Sequence, residues 1–533
     1  MALTRTRRPP AGWTVAGVAV AVLVAGPLLA LPASFIGEGE ALDSIAADLL
    51  PEALRASLVL ALGVAAGTLV LGGALAVLVS FFDFPGRRWL DWALVLPLAI
   101  PAYVLVFVLL GQYDEASGLQ QALRAVFGED ARLPEVRSTG GTILVLTLVL
   151  YPYVYVLSRA AFLGQSRQSL EAARTLGLSY LAAVRRVALP LARPALAGGA
   201  ALAVMEALAD FGAVNLLGYR ALTDAIYRVW YGAFDEAAAL QLATVLVSLA
   251  LTLVALERLL RGRARYHQAL GRGDAVIPRR LGGPAGWLAA AVPVALLALV
   301  VALPVVQLLV WAVGSLGDGA SASTLVRAAV NSVLLASIAA VVAVLAATVV
   351  AYGVRVRPTR AGRIAARLSG IGYAVPGTVA AVAVYVPLAW LDRRLGGLFL
   401  TGTVAGLVLA YVVRFHALAL ISVEARLTRI DASLDDAARS LGADRSRLLA
   451  DVHIPLLGPG IATAALLVFV EVLKELPATA LLRPLGGDTL AIAVWEATKE
   501  SRFDVAALPA LLIVAVGIVP VISAIRLARE GAR

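Results

Sequence analysis

Nine stretches of this 533-residue chain contain no aspartate, glutamate, lysine or arginine. They are Ala11–Gly37, Ala56–Phe82, Trp92–Tyr113, Ser138–Ser158, Ala237–Leu256, Leu281–Gly317, Ala328–Val354, Leu368–Leu391 and Val505–Ile525. A helix needs ~20 predominantly apolar residues to cross a bilayer, and each stretch reaches or approaches that length. Three further segments, roughly 195–217, 397–421 and 459–482, are mostly apolar but carry charge. In lipid the backbone must satisfy its own hydrogen bonds, which favours helices. The expectation is an all-α integral membrane protein of about twelve helices, six in each half. Soluble domains are about half apolar and a quarter charged. With 61% hydrophobic and 15% charged residues, this chain falls outside that class.

The arginines set an orientation, because cytoplasmic loops retain Lys and Arg. Arg5, Arg7 and Arg8 precede the first span, Arg87 and Arg88 follow the second, and Arg258, Arg261, Arg263, Arg265, Arg272, Arg279 and Arg280 follow the sixth. Arg355, Arg357, Arg360, Arg363 and Arg367 follow the eighth, and Arg526, Arg529 and Arg533 end the chain. Acids gather in the opposite loops, as Glu38, Glu40, Asp43, Asp48 and Glu52, then Asp114, Glu115, Glu129 and Asp130. Both termini are therefore expected in the cytoplasm. The net charge of +10 reflects this loop bias and suits anionic headgroups, so no nucleic-acid partner is expected. The chain has no cysteine, which excludes disulfides and thiolate metal sites. The first apolar run has small residues behind it (Ala30, Ala33, Ser34), as a signal peptide would. Its length exceeds the usual 7–15 residues, and a retained helix is expected.

A repeat runs through the chain. The segment EAARTLGLSYLAAVRRVALP (171–190) returns as DAARSLGADRSRLLADVHIP (436–455), 265 residues later throughout. Each copy reads as two short helical pieces joined at Gly177 or Gly442, where a positive φ is available. Pro190 and Pro455, lacking an amide proton, are expected to stop the second piece. Further echoes lie 275 residues apart, Ser57 with Ser332 and Pro101 with Pro376. The ten-residue change of offset is expected in the outer loop 112–139. Six spans per half is an even number, so the halves enter the membrane in the same sense, as parallel repeats. The expected division is 1–257, a basic linker at 258–285, and 286–533, with the first and seventh spans peripheral to five-helix cores. Both hairpins fall on the arginine-rich side, where a cytoplasmic motor would grip them.

Glu-Ala-Ala, three residues, Gly, nine residues, then apolar-X-apolar-Pro resembles the EAA signature of ABC importer permeases. Glu171, Ala172, Ala173, Gly177, Val187, Leu189 and Pro190 fit it, and Asp436, Ala437, Ala438, Gly442, Val452, Ile454 and Pro455 fit its second copy. Asp436 replaces Glu, and Ile454 stands where Leu is usual. The resemblance implies a type I importer permease with a MetI-like fold, its two units fused in one polypeptide of the bacterial inner membrane. It implies that each hairpin is a coupling helix seated in a separate ATP-binding subunit, two copies in all. ATP and magnesium would be used by that partner, this chain binding no cofactor and not being an enzyme. An extracytoplasmic solute-binding protein is the other implied partner. The segments 209–219, 226–243 and 474–491 resemble ferric-iron (Fbp-type) permeases, while fused permeases for thiamine and aminoethylphosphonate share the layout. No G-x-x-x-x-G-K-[ST] loop occurs in the chain.

Charges inside the spans are the remaining candidates. Glu206 and Asp210 sit in the fifth span, and Glu471, Lys474 and Glu475 occupy the matching part of the eleventh. Intramembrane ionisable groups cost roughly 2.5–3.5 kcal/mol on insertion scales, so they face a cavity or a partner. Two readings stand: an acidic pathway lining for a hard cation, or an ion-paired hinge in which Arg414 or Lys474 neutralises a carboxylate. Pro477 is the expected gate or bend. His267, His416 and His453 are scattered, and no stable metal site is expected. An ion-driven secondary transporter shares the twelve-helix, two-half architecture, but has no use for a repeated hairpin.

Overall fold

A computed structural model describes residues 12–35, 40–113, 117–132, 135–261, 277–315, 322–396, 400–444 and 447–530. Arg5, Arg7, Arg8, Glu38, Asp114, Glu115, Arg263, Arg265, His267, Arg272 and Arg533 lie outside them. Helix dominates. The one strand pair among the described residues joins Phe82–Asp83 in parallel to Arg279–Arg280.

Nine helices among the described residues are long and apolar enough to cross a membrane, and two bent pairs raise the number to eleven. The one expected span outside these eleven, the ninth (Leu368–Leu391), corresponds to helix Gly377–Leu395, whose last turn carries Asp392, Arg393 and Arg394. The bent pairs have a local cause. Arg87–Ala99 and Ala102–Gln112 meet at 88°. Pro101 has no N–H and drives Ile100 into extended backbone (φ −99°, ψ 114°). The second half repeats the break, with Val375 extended (φ −93°, ψ 120°) before Pro376.

Pro190 and Pro455 behave otherwise than the sequence suggests. Neither stops its helix. A π-helical stretch precedes each one, Val184–Ala188 and Leu448–His453. There Leu189 N–H donates to Val184 O and Ile454 N–H to Leu449 O, one residue farther back than in an α-helix. The widened turn absorbs the missing donor, so the chain stays helical through the proline. In the first half the bend, 65°, comes instead between Tyr180–Leu191 and Arg193–Ala209.

The chain forms two compact units that do not follow sequence order. One gathers residues up to 41 with 229–244 and 323–492. Within it, helix Gly12–Ala25 lies on helix Ala322–Val356, where the Trp13 ring meets Tyr352 edge-on at 4.9 Å. The Thr244 hydroxyl donates to Leu31 O (2.8 Å), and the Tyr231 hydroxyl to Ala480 O (2.8 Å).

The other unit gathers 42–228, 245–322 and 493–533. Within it Phe503 stacks on both Phe107 and Trp311, with ring separations among the three of 5.3–5.6 Å. Close helix packing in lipid relies on small residues. Here a Cβ on Gly67 would come within 2.4 Å of Thr147 Oγ1.

The serine echo has a structural meaning. Ser57 Oγ accepts the N–H of Leu222 (2.9 Å) and Ser332 Oγ that of Leu490 (2.8 Å), both buried. Each serine satisfies an N–H group at the start of a short helix, Leu222–Arg228 or Leu490–Lys499, that the helix itself leaves open.

Candidate functional site

The hairpins are built alike. In the first, Ser166 accepts from Gln168 N–H and starts helix Arg167–Thr175. In the second, Asp431 accepts from Ser433 N–H and starts Ala432–Ser440. Both helices end in a Schellman turn. Gly177 N–H donates to Arg174 O and Leu178 N–H to Ala173 O, while Gly442 N–H donates to Arg439 O and Ala443 N–H to Ala438 O. The turn requires the left-handed φ of +91° at Gly177 and +83° at Gly442. Just before each glycine a leucine stands almost free of the fold, Leu176 at 85% exposure and Leu441 at 88%. Glu171 pairs with Arg167 (2.5 Å) and Asp436 with Arg439 (3.2 Å), both at the surface. Ala172 and Ala437 are exposed, Ala173 is buried and Ala438 half-buried. Each hairpin thus presents an apolar tip on a polar shaft.

The bases of the hairpins differ. Leu170 and Ala173 of the first are buried against Phe81, Phe162, Ala183, Val184 and Ala188, an apolar seat. The Tyr180 hydroxyl donates to Phe81 O (2.9 Å). Where the first copy has Leu170, the second has Asp435, bonded to Arg355 Nη2 (3.2 Å) and His453 Nε2 (2.9 Å). Burial works against ionisation of Asp435, but the His453 bond and the Arg355 charge outweigh it, holding the carboxyl below the usual range. From sequence His453 is only one of three scattered histidines, and Asp435 is not singled out.

The intramembrane acids sit where the fifth and eleventh spans break. Asp210 Oδ1 accepts Ala213 N–H (2.8 Å), starting helix Gly212–Leu216. Glu475 Oε1 accepts Ala478 N–H (2.9 Å), starting helix Pro477–Leu482, with Pro477 as its first residue. The Glu475 carboxylate, 4% exposed, also receives Arg414 Nη1 on Oε2 (2.6 Å). Thr479 Oγ1 donates to Glu475 O (2.7 Å) and meets the Tyr411 hydroxyl (2.7 Å). Room for the ion pair comes from Gly377, whose added Cβ would lie 2.3 Å from both Arg414 Nη1 and Glu475 Oε1. Lys474 pairs with Glu471 (2.8 Å). Glu206 lies on helix Arg193–Ala209, one turn before Asp210. The structure brings together Arg414, Glu475 and Pro477, and separately Glu471 and Lys474. Among the described residues no three His, Asp or Glu side chains are grouped to hold a metal ion.

One further polar cluster escaped the sequence reading. Trp495 Nε1 donates to Asn215 Oδ1 (3.1 Å), and Asn215 Nδ2 to Asp224 Oδ1 (2.8 Å). Asp224 pairs with Arg228 (2.7 Å). Phe211 and Tyr227 pack on the Trp495 ring at 5.7 and 5.6 Å.

A family model described as the binding-protein-dependent transport system inner membrane component matches residues 68–265 and again 287–529. The chain belongs to this permease family. A ferric-ion transport permease, FbpB 2 of Haemophilus influenzae, is 27% identical over 522 residues, 97% of this permease and 98% of the relative. A probable molybdenum ABC transporter permease of Haloferax volcanii is 32% identical over 254 residues, 46% of this permease and 89% of the relative. A putative 2-aminoethylphosphonate permease, PhnU of Salmonella choleraesuis, is 30% identical over 217 residues, 40% and 75%. The double match agrees with the internal repeat, and the protein is a multi-pass membrane permease subunit of an ABC transporter.

Proposed function

We propose that this permease imports ferric ion, each hairpin being gripped by an ATP-binding subunit on the cytoplasmic side. The observation that carries the coupling is the twice-built tip. Exposing a leucine at the end of a polar shaft costs the isolated chain apolar burial, and a receiving groove would recover it. Closure of two ATPases on ATP would pull both hairpins and open the bundle outward; hydrolysis would reset it. An extracytoplasmic binding protein delivers the ion, and ATP and magnesium stay with the ATPase. Both termini face the cytoplasm, by the distribution of arginines in the loops.

Ferric ion is favoured because likeness to the iron permease runs the length of both chains, whereas the molybdenum and phosphonate relatives match under half of this one. The capped geometry of Asp210 and Glu475 favours a role at the breaks of their spans over a role as cargo ligands. Uptake into proteoliposomes holding permease, ATPase and binding protein tests this, with ferric ion, molybdate, thiamine and 2-aminoethylphosphonate offered separately. ATP-dependent accumulation of ferric ion alone is the expected result. Uptake of another cargo would overturn the substrate, and uptake without ATP that an uncoupler abolishes would overturn the class.

A further inference from the structure

The base of the second hairpin is a junction of four elements. Arg355 closes helix Ala322–Val356, and its Nη1 donates to the carbonyls of Leu427 (2.9 Å) and Ile430 (3.0 Å), at the end of helix Val404–Leu427 and just beyond. Its Nη2 reaches Asp435 on the hairpin itself (3.2 Å). Asp435 in turn holds His453, at the foot of helix Ile454–Leu473, and His453 Nδ1 meets the Tyr352 hydroxyl (3.1 Å). With Asp435 held as a carboxylate, the ring nitrogen facing it, Nε2, donates, and the Tyr352 hydroxyl lies on the other, Nδ1. His453 is 1% exposed, and the side chains of Arg355 and Asp435 are under one-fifth exposed. Among the described residues, Arg439 and the N-cap Asp431 are further charged groups coupled to the junction by their fields, to Tyr352 and to Arg355 respectively.

None of this exists in the first half. At the corresponding places stand Leu170 for Asp435, Ala188 for His453, Val77 for Tyr352 and Ser80 for Arg355. The bonds of Tyr180 to Phe81 O and Gln165 to Ala188 O lie elsewhere on the first hairpin. Around Leu170 its seat is apolar, and such contact is non-directional, so that point tolerates a small slide or rotation. Directional bonds from two helices to one carboxylate, with Arg355 tied in turn to the end of a third, do not.

We propose that Asp435 is a positioning residue that makes the second hairpin move as one body with its three helices, Arg355 and His453 being its holders. This rests on the reading of the hairpins as ATPase handles, and the two must fail separately. The full transporter is reconstituted, and ferric ions moved per ATP hydrolysed are measured beside co-purification of the ATPase. Asp435→Asn keeps shape and folding but removes the charge. It is expected to leave the ATPase bound and hydrolysing while the ratio falls about tenfold, within the usual range for coupling between sites. Arg355→Gln should do the same, and Arg355→Lys, which keeps a cation but loses the fork, should recover part of the loss. An unchanged ratio in Asp435→Asn overturns the proposal, and so does a fall that merely follows loss of bound ATPase. Leu176→Asp and Leu441→Asp separate the two readings. If they leave the ATPase bound and uptake normal, the handle reading fails whatever Asp435→Asn does.

Discussion

The two halves of this permease use one backbone plan and two chemistries. Each has a Schellman-turned hairpin with a bare leucine at its tip, and each has a span broken at a carboxylate that caps the next short helix. In the second half both features are held by partly or fully buried polar pairs, Asp435 with Arg355 and His453, and Glu475 with Arg414. In the first half Leu170, in an apolar seat, stands at the place of Asp435, and Val149 at the place of Arg414. A repeated fold therefore fixes where a device sits, while the side chains decide how stiff it is. On the proposal above, the second hairpin is the more firmly held copy.

The comparison breaks most readily at the ion pair. Arg414→Leu strands the Glu475 carboxylate in a buried site and should cost about 3–5 kcal/mol, whereas Val149→Leu adds one methylene to a buried site and should cost about 1–3 kcal/mol. Thermal unfolding in detergent measures both, and equal losses would refute the asymmetry. Gly377→Ala drives a methyl between Arg414 and Glu475, with an expected cost of about 1–3 kcal/mol. Its mirror, Ala102→Gly, should cost only about 0.5–1 kcal/mol by the same assay. Gly177→Ala and Gly442→Ala force a side chain into left-handed backbone at about 1–2 kcal/mol each. They should lower uptake in both copies, and proline at either position should abolish it while insertion stays intact. Leu176→Asp and Leu441→Asp should change stability by under about 0.5 kcal/mol, being exposed, yet abolish ATPase co-purification.

Much of this was legible in the chain. Charge-free runs mark the spans, and the 265-residue repeat marks the hairpins and their glycines. Prolines 101 and 376 mark two of the breaks, and Arg414 was one of two cations available to an intramembrane acid. The prolines after the hairpins misled because a π turn relieves a missing donor, and no local pattern announces such a turn. The junction at Asp435 joins residues up to 101 positions apart. Its signal was available all the same. Where the first copy reads Leu170 and Ala188, the second reads Asp435 and His453, two polar replacements among several between the copies. Which lobe gains each outlying helix depends on long-range packing that periodicity does not encode.

The interleaving of the units bears on how the chain is made. The unit that begins at residue 42 is completed only by residues 493–533, whose helix Phe503–Glu530 lays Gly517 against Ala99 with no room for a Cβ. At roughly 5–20 residues per second, a ribosome needs about half a minute or more to supply that closing piece. Until then the first helices into the membrane have an open flank, and lipid or an insertion chaperone must occupy it. Severing the chain at its basic connector would divide the gene cleanly and leave each lobe missing a wall.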